Sequence, residues 1–256
     1  MTKFDAQFAG RLDGQTVLVT GTKGGIGHET AQGIGNSGAT VLVHARRVDD
    51  AQRAVDLLVN NAGAAFTTKA LSPDGYERTI AINHIAAAAL TEGLLDLLRK
   101  GADDVAAPSR VVIMTALIES RGKPITDWSY PGKYKQIQAY ADAKLLALTY
   151  TYAQARRHAG EGLTFNAVSP GAVKTSLGSK AGGPFKIIEA LTNPFVGPPE
   201  KGSRGCVRLM ADPELATATG GYYSSAKLKK SSKKSRDYDA QDRVWEQTER
   251  ELDSHN

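Results

Sequence analysis

Residues 16–30, TVLVTGTKGGIGHET, decide the fold. Val17, Leu18 and Val19 follow one another without a polar break, which reads as a strand buried on both faces. Glycines 21, 25 and 27 then lead into the helical pattern HETAQGIGNSG, residues 28–38. A strand, a glycine-rich turn and a helix in that order make a cradle for phosphate. Glycine lets the backbone turn tightly and approach a pyrophosphate, and the helix N-terminus offers unpaired N–H groups and a positive dipole end. Gly21, Lys23, Gly25, Ile26 and Gly27 are the expected cofactor residues of this turn.

The same alternation continues outward. Strands are expected at 40–46 (TVLVHAR), 56–63 (DLLVNNAG), 110–116 (RVVIMTA), 163–171 (LTFNAVSPG) and 220–225 (GGYYSS). Long helices are expected at 76–100 and 138–159. Strands alternating with helices imply a parallel sheet covered on both faces.

Composition narrows the class. The chain has 256 residues, 41% of them apolar, enough for one large core and a single domain. One cysteine, Cys206, excludes an internal disulfide and fits a reducing compartment, so a cytoplasmic location is expected. The N-terminus carries no secretory apolar run, and the most apolar window, IAAAALTEGLLDLL, is broken by Glu92 and Asp96. No stable membrane insertion is expected. The net charge is +5, much of it in KLKKSSKKSR at 227–236. That segment reads as a solvated loop; without interleaved aromatics it predicts no nucleic-acid partner.

Tyr140 and Lys144 stand four apart in a strong helical pattern, so both side chains share one face. A nearby ammonium is expected to lower the tyrosine pKa and let it exchange a proton near neutrality. Tyr223 and Lys227 repeat the spacing, but Tyr223 follows Gly-Gly at a terminal strand and reads as structural. After the second strand, Arg46 and Arg47 offer guanidinium forks to a phosphate, with Lys23 to assist, which favours NADP(H) over NAD(H).

TGxxxGxG at 20–27, NNAG at 60–63 and Tyr140-x-x-x-Lys144, in this order, resemble the short-chain dehydrogenase/reductase family. PGAVKT at 170–175 resembles the family's loop after the sixth strand, and the C-terminal stretch is similar to the retinol-dehydrogenase-like subgroup. The resemblance runs from about residue 13 to 253. It implies an α/β, doubly wound parallel sheet of the Rossmann type, one domain over residues 1–256. It implies hydride transfer between NADP(H) and a carbonyl or alcohol of a small apolar substrate, and no metal. By the same resemblance Tyr140 is the acid/base, Lys144 tunes it and holds the nicotinamide ribose, and Asn83 holds a relay water. Asn61, Ala62, Gly63, Pro170, Gly171 and Thr175 join the cofactor set. Pairing through the long helices, as a homodimer or homotetramer, is implied by analogy.

Two departures follow. Only nine residues, Arg47 to Val55, lie where the family has helix, strand and helix. The third strand of the order 3-2-1-4-5-6-7 is therefore expected to be missing. It is an edge strand, so its loss exposes the second strand without splitting the sheet. The link must return about 20 Å, which nine residues reach only with a short helical turn near Ala51–Val55 and extended flanks. Second, the family's strand-five serine aligns with Ala116. Thr115 and the more distant Ser120 are the neighbouring hydroxyls, but Thr115 reaches the site only through a bulge or slip. An impaired reductase is the expectation, with a non-catalytic dinucleotide-binding or scaffold protein as the alternative. The loop 174–200, with Phe185, Ile187, Ile188, Leu191 and Phe195, is expected to cover the substrate.

Overall fold

The computed structural model describes residues 3–22, 24–44, 56–171 and 197–254. Among them, seven strands form one sheet in the order β2-β1-β3-β4-β5-β6-β7. These are β1 Thr16–Thr20, β2 Thr40–His44, β3 Leu57–Asn60, β4 Ser109–Met114, β5 Leu163–Ser169, β6 Tyr222–Ser224 and β7 Lys227–Lys229. The first six are parallel; only β6 and β7 pair antiparallel, Tyr223 opposite Leu228.

The uninterrupted apolar runs are buried on both sides, which is what parallel strands under two helical layers require. Val17, Val19, Leu57, Val59, Val112 and Met114 share one cluster with Ile26, Ile34, Cys206 and Met210. The alternate residues Leu18, Leu58, Val111 and Ile113 share another with Leu95, Leu98, Ala147 and Phe165. Helices α1 Lys3–Ala6, α2 Ile26–Asn36 and α7 Pro199–Ala211 carry residues of the first cluster or pack against it. Helices α4 Ala86–Gly93, α5 Leu95–Val105 and α6 Gln136–Arg157 line the second. α8 Tyr238–Asp253 lies outside α6, with Trp245 stacked on Tyr150 at 5.2 Å.

Among the described residues β2 is the sheet edge, and β3 pairs with β1 on the other side, as the expected deletion requires. Val43 on that edge is 64% exposed. The turn expected at Ala51–Val55 lies outside the described residues. Asp56 closes the joint at the start of β3, its carboxylate accepting from the Thr16 N–H and its own N–H donating to the Thr16 carbonyl.

Three expectations need correction. The helix over 76–100 is not continuous. It begins at α3 Arg78–Ile80, widens into a π turn at Ala81–Ile85, and bends by 54° between Gly93 and Leu95. Within the π turn, Asn83 sends its amide to both the Thr79 and the Ala64 carbonyls. The segment 227–236 is solvated along its lysines, as expected, but is not simply a loop. It opens with β7, and Ser231 and Ser235 are buried where Ser231 meets the Tyr152 hydroxyl at 2.7 Å. The strand over 56–63 stops at Asn60, whose amide donates to Thr91 and ties β3 to α4. No single helix among the described residues is long and apolar enough to cross a membrane.

Gly205 on α7 faces β6 so closely that an added Cβ would lie 2.0 Å from the Ser225 carbonyl oxygen. Gly35, exposed on α2, meets only Val41 at 3.7 Å. Gly205→Ala is expected to cost about 1–3 kcal/mol by overpacking. Gly35→Ala is expected to add roughly 0.5–1 kcal/mol through helix propensity. Urea midpoints of the two variants check the opposite signs.

Candidate functional site

The glycine loop is built by welding the ends of β1 and β3. The Thr20 hydroxyl accepts from the N–H groups of Asn61 and Ala62, both at 3.0 Å. In return the Asn61 amide donates to the Thr20 carbonyl at 2.8 Å and to the Gly21 carbonyl at 3.3 Å. Gly21 turns with φ 71°, and a Cβ there would sit 2.9 Å from Ala62 Cα. A Cβ on Gly27 would lie 2.4 Å from both Asn61 Nδ2 and the Gly21 carbonyl oxygen. The close approach of three backbone segments explains these two glycines. Gly25 heads α2 with φ 61° and no side-chain cap, and an added Cβ would meet nothing within 4 Å. Ile26 is a core residue of this turn, 8% exposed against Val19 and Leu57.

Four candidates converge beyond the weld. Tyr140 and Lys144, one helical turn apart on α6, are both buried. The Lys144 ammonium donates to the Met114 carbonyl at 2.8 Å and stands 5.7 Å from the Tyr140 ring centroid. A Cβ on Gly63 would lie 2.8 Å from Asn83 Oδ1 and 3.4 Å from Lys144 Nζ. Gly63 is thus the gap between the two. Asn83 uses its N–H groups on Ala64 and Thr79, and its Oδ1 is buried with no hydrogen-bond partner. A buried acceptor left open marks a place for a donor.

The protonation balance differs from the sequence expectation. Burial pushes the Tyr140 phenol up rather than down. Burial also lowers Lys144 to about 8. Desolvation disfavours the charged form of each, and here it outweighs the neighbouring ammonium.

Ala116 stands beside Tyr140, in one cluster with Ala65 and Ile118. Its backbone is extended, φ −153° and ψ 152°, so β4 leads into it without a bulge. Thr115 is therefore corrected as a substrate contact: it is buried and its hydroxyl turns to the Lys144 carbonyl on α6, at 3.4 Å. Ser120 is exposed and bonds the Leu117 carbonyl. Ala65 and Ile118 were not read from the sequence, since apolar residues just past a motif carry no signal of their own.

Pro170 and Gly171 end β5, held by Ser225, whose hydroxyl donates to the Pro170 carbonyl at 3.4 Å. Lys23, Arg46, Arg47, Thr175 and the pocket residues from Phe185 to Phe195 lie outside the described residues. Tyr223 is structural, as expected: it is buried in the core against Val168, and Lys227 is exposed on β7. A surface hollow of about 500 Å³ lies elsewhere, lined by Phe4, Phe8, Arg11, Arg208 and Asp212 among others, none of them a candidate residue.

A family model described as Enoyl-(Acyl carrier protein) reductase matches residues 45–194, more than half of the chain. Human retinol dehydrogenase 13 is 27% identical, over 93% of this chain and 85% of that protein. A Brassica napus chloroplastic short-chain dehydrogenase, TIC 32 B, is 26% identical over 93% and 89%. The alignment with retinol dehydrogenase 13 runs over 289 positions, more than the 256 residues of this chain, so that relative carries residues without a counterpart here. A crystal structure of an uncharacterised Mycobacterium paratuberculosis protein superposes with a TM-score of 0.74, at 23% identity and 94% coverage of both chains. A Brucella melitensis 3-ketoacyl-(acyl-carrier-protein) reductase complexed with NADH gives 0.64, at 18% identity, over 83% of this chain and 97% of that one.

Thr20→Val removes the acceptor of two backbone N–H groups while keeping the shape. It is expected to cost about 1–3 kcal/mol, and Thr20→Ser to cost less than half as much. Thermal unfolding of the three proteins checks it.

Proposed function

We infer the function from one premise: this chain belongs to the short-chain dehydrogenase/reductase family. We propose that it moves hydride between NADP(H) and a carbonyl or alcohol of a small apolar substrate, slowly, because no hydroxyl stands at Ala116. The observation that carries this reading is the meeting of Tyr140, Lys144, Gly63 and the open Asn83 oxygen beside Ala116.

The residues present fit a dinucleotide. Gly25 leaves the start of α2 without a side-chain cap, and Gly63 leaves a gap against Lys144 and Asn83. Gly21, Gly25, Ile26, Gly27, Asn61, Ala62, Gly63, Pro170 and Gly171 would hold it, with Lys23, Arg46 and Thr175 completing the set. Arg46, with Arg47 beside it, supports NADP(H), since a guanidinium pairs with a 2′-phosphate. Bound NADP(H) supplies or accepts the hydride.

The chain's own groups handle the proton and the orientation. Tyr140, kept neutral by burial, donates its phenolic proton to the carbonyl oxygen in reduction and takes one back in oxidation. Lys144 contributes its positive charge beside the developing phenolate and reaches the nicotinamide ribose. Asn83 Oδ1 accepts from a relay water that leads away from the site. Ala65, Ala116 and Ile118 give the substrate an apolar wall. Among the described residues, no hydroxyl joins Ala116 and Ala65 beside Tyr140 to take up the serine's usual task, a hydrogen bond to the substrate oxygen. Loss of one such donor costs roughly 10²–10³ in turnover, so a slow reaction survives on the remaining groups. The single buried cysteine supports a cytoplasmic setting. A homodimer or homotetramer would need a surface other than α6, whose residues 139–155 are buried within the chain.

The hydroxyl-free wall also favours a second reading, a dinucleotide-binding protein without turnover. Aldehyde-dependent NADPH oxidation separates the two. Slow oxidation that Tyr140→Phe abolishes supports the enzyme; cofactor binding without any oxidation supports the second reading. Ala116→Ser is expected to raise kcat on the order of 10²-fold; no gain in a folded protein contradicts the assignment of that wall.

The pH profile gives a further expectation. With Lys144 at about 8, the ammonium is lost as pH rises through that value. kcat/KM for reduction should therefore fall above about pH 8, and Lys144→Arg, which stays charged, should move the fall to higher pH. Initial rates between pH 6 and 10 at low aldehyde check it.

A further inference from the structure

The half-buried contact between α8 and the rest of the chain has one hydrogen too few. The Tyr150 hydroxyl lies 2.8 Å from Glu92 Oε1 on α4 and 2.9 Å from Glu249 Oε1 on α8. A phenol has one proton and can donate it to one acceptor at full strength. The other carboxylate then faces the phenol oxygen, lone pair to lone pair, unless it carries a proton itself. Gln154 marks the accepting side: its amide donates to Glu92 Oε1 at 2.9 Å, so that oxygen is an acceptor twice over. The consistent arrangement is a relay, in which Glu249 donates to Tyr150, Tyr150 donates to Glu92, and Gln154 also donates to Glu92.

We infer that Glu92 and Glu249 hold a second proton between them across Tyr150, so that docking of α8 takes up one proton. The surroundings favour a neutral Glu249. Burial raises its pKa, and Glu92 and Asp253 add to the rise, while Tyr150 and His158 oppose it. His84, edge-on to Tyr150 at 5.5 Å, adds no charge, because burial lowers it to about 3. Arg156 and Arg157 are engaged with Asp242, and His158 with Glu161.

The docked helix also bears on the π turn. The Thr248 hydroxyl donates to the Val244 carbonyl, so at 3.0 Å it accepts from His84 Nε2, and His84 is the residue after Asn83. Tyr76 donates to Glu251, and Gln247 to the Thr126 carbonyl. α8 is thus held at these points as well as by the Asp242 ion pairs and the Trp245 stack, and the Glu249 contact is the one that needs the extra proton.

The sign follows from linkage. A carboxyl with a raised folded pKa contributes its stability fully below its unfolded value of 4.5, and that contribution is lost as pH rises through the folded value. The test is hydrogen exchange of α8 amides between pH 5 and 8, expressed as protection factors so that intrinsic rates cancel. In the wild type, protection is expected to fall with rising pH, by up to about tenfold per pH unit. Glu249→Gln, whose amide donates to Tyr150 without titrating, is expected to flatten that slope. Infrared spectra at pH 7, where carboxyls of ordinary pKa are ionised, give a readout independent of the variant's folding: a protonated-carboxyl stretch in the folded wild type that disappears on unfolding at the same pH. Parallel slopes in the two proteins, or no such band in the wild type, overturns the inference.

Discussion

The hydrogen-bonded closure of β1 onto β3 is the constraint on which the rest of the structure depends. Among the described residues β2 is the sheet edge, and β3 is the next strand after it in the chain. Thr20 and Gly21 then share four hydrogen bonds with Asn61 and Ala62 across the strand ends, and Asp56 ties the other end of the pair to Thr16. Each such bond contributes only about 1 kcal/mol net, yet losing an acceptor for buried N–H groups costs more. Because the same atoms shape the glycine loop, stability and cofactor geometry are coupled here. A sheet edge can be deleted from this fold; the joint between its first and third strands cannot.

The reacting groups follow from that joint. β3 ends at Asn60, and the three residues beyond it bring Gly63 to the gap between Lys144 and Asn83. The π turn serves the same end, because it leaves the Asn83 amide bonded on both N–H groups and its oxygen open. Desolvation sets the protonation states, a neutral phenol and a lysine whose charge is cheap to lose.

Much of this was legible in the sequence, for physical reasons that differ by element. The parallel strands announced themselves because burial on both faces demands unbroken apolar runs. The absent strand was legible as a length, since nine residues cannot hold helix, strand and helix. The regular β4–β5 pairing runs to Met114, and Ala116 follows it with extended backbone, as the reading from RVVIM required. The break in the helix over 76–100 was not, because a π turn stabilised by one asparagine amide leaves the apolar pattern unchanged. The fate of 227–236 was hidden for a related reason. Its lysines dominate the composition, while its serines, which find Tyr152 and Glu119, are what dock it. The rise of the Tyr140 pKa was missed because sequence spacing reports the neighbouring ammonium but not how deeply both groups are buried.

The most direct measurement follows the hydride itself. NADPH carrying deuterium at the nicotinamide C4 position, incubated with the protein and an apolar aldehyde, is expected to yield alcohol with one deuterium on the carbinol carbon. The label should be absent from the Tyr140→Phe reaction. Tight NADPH binding with no deuterium in the alcohol, over a time long enough for a slow enzyme, would contradict the account.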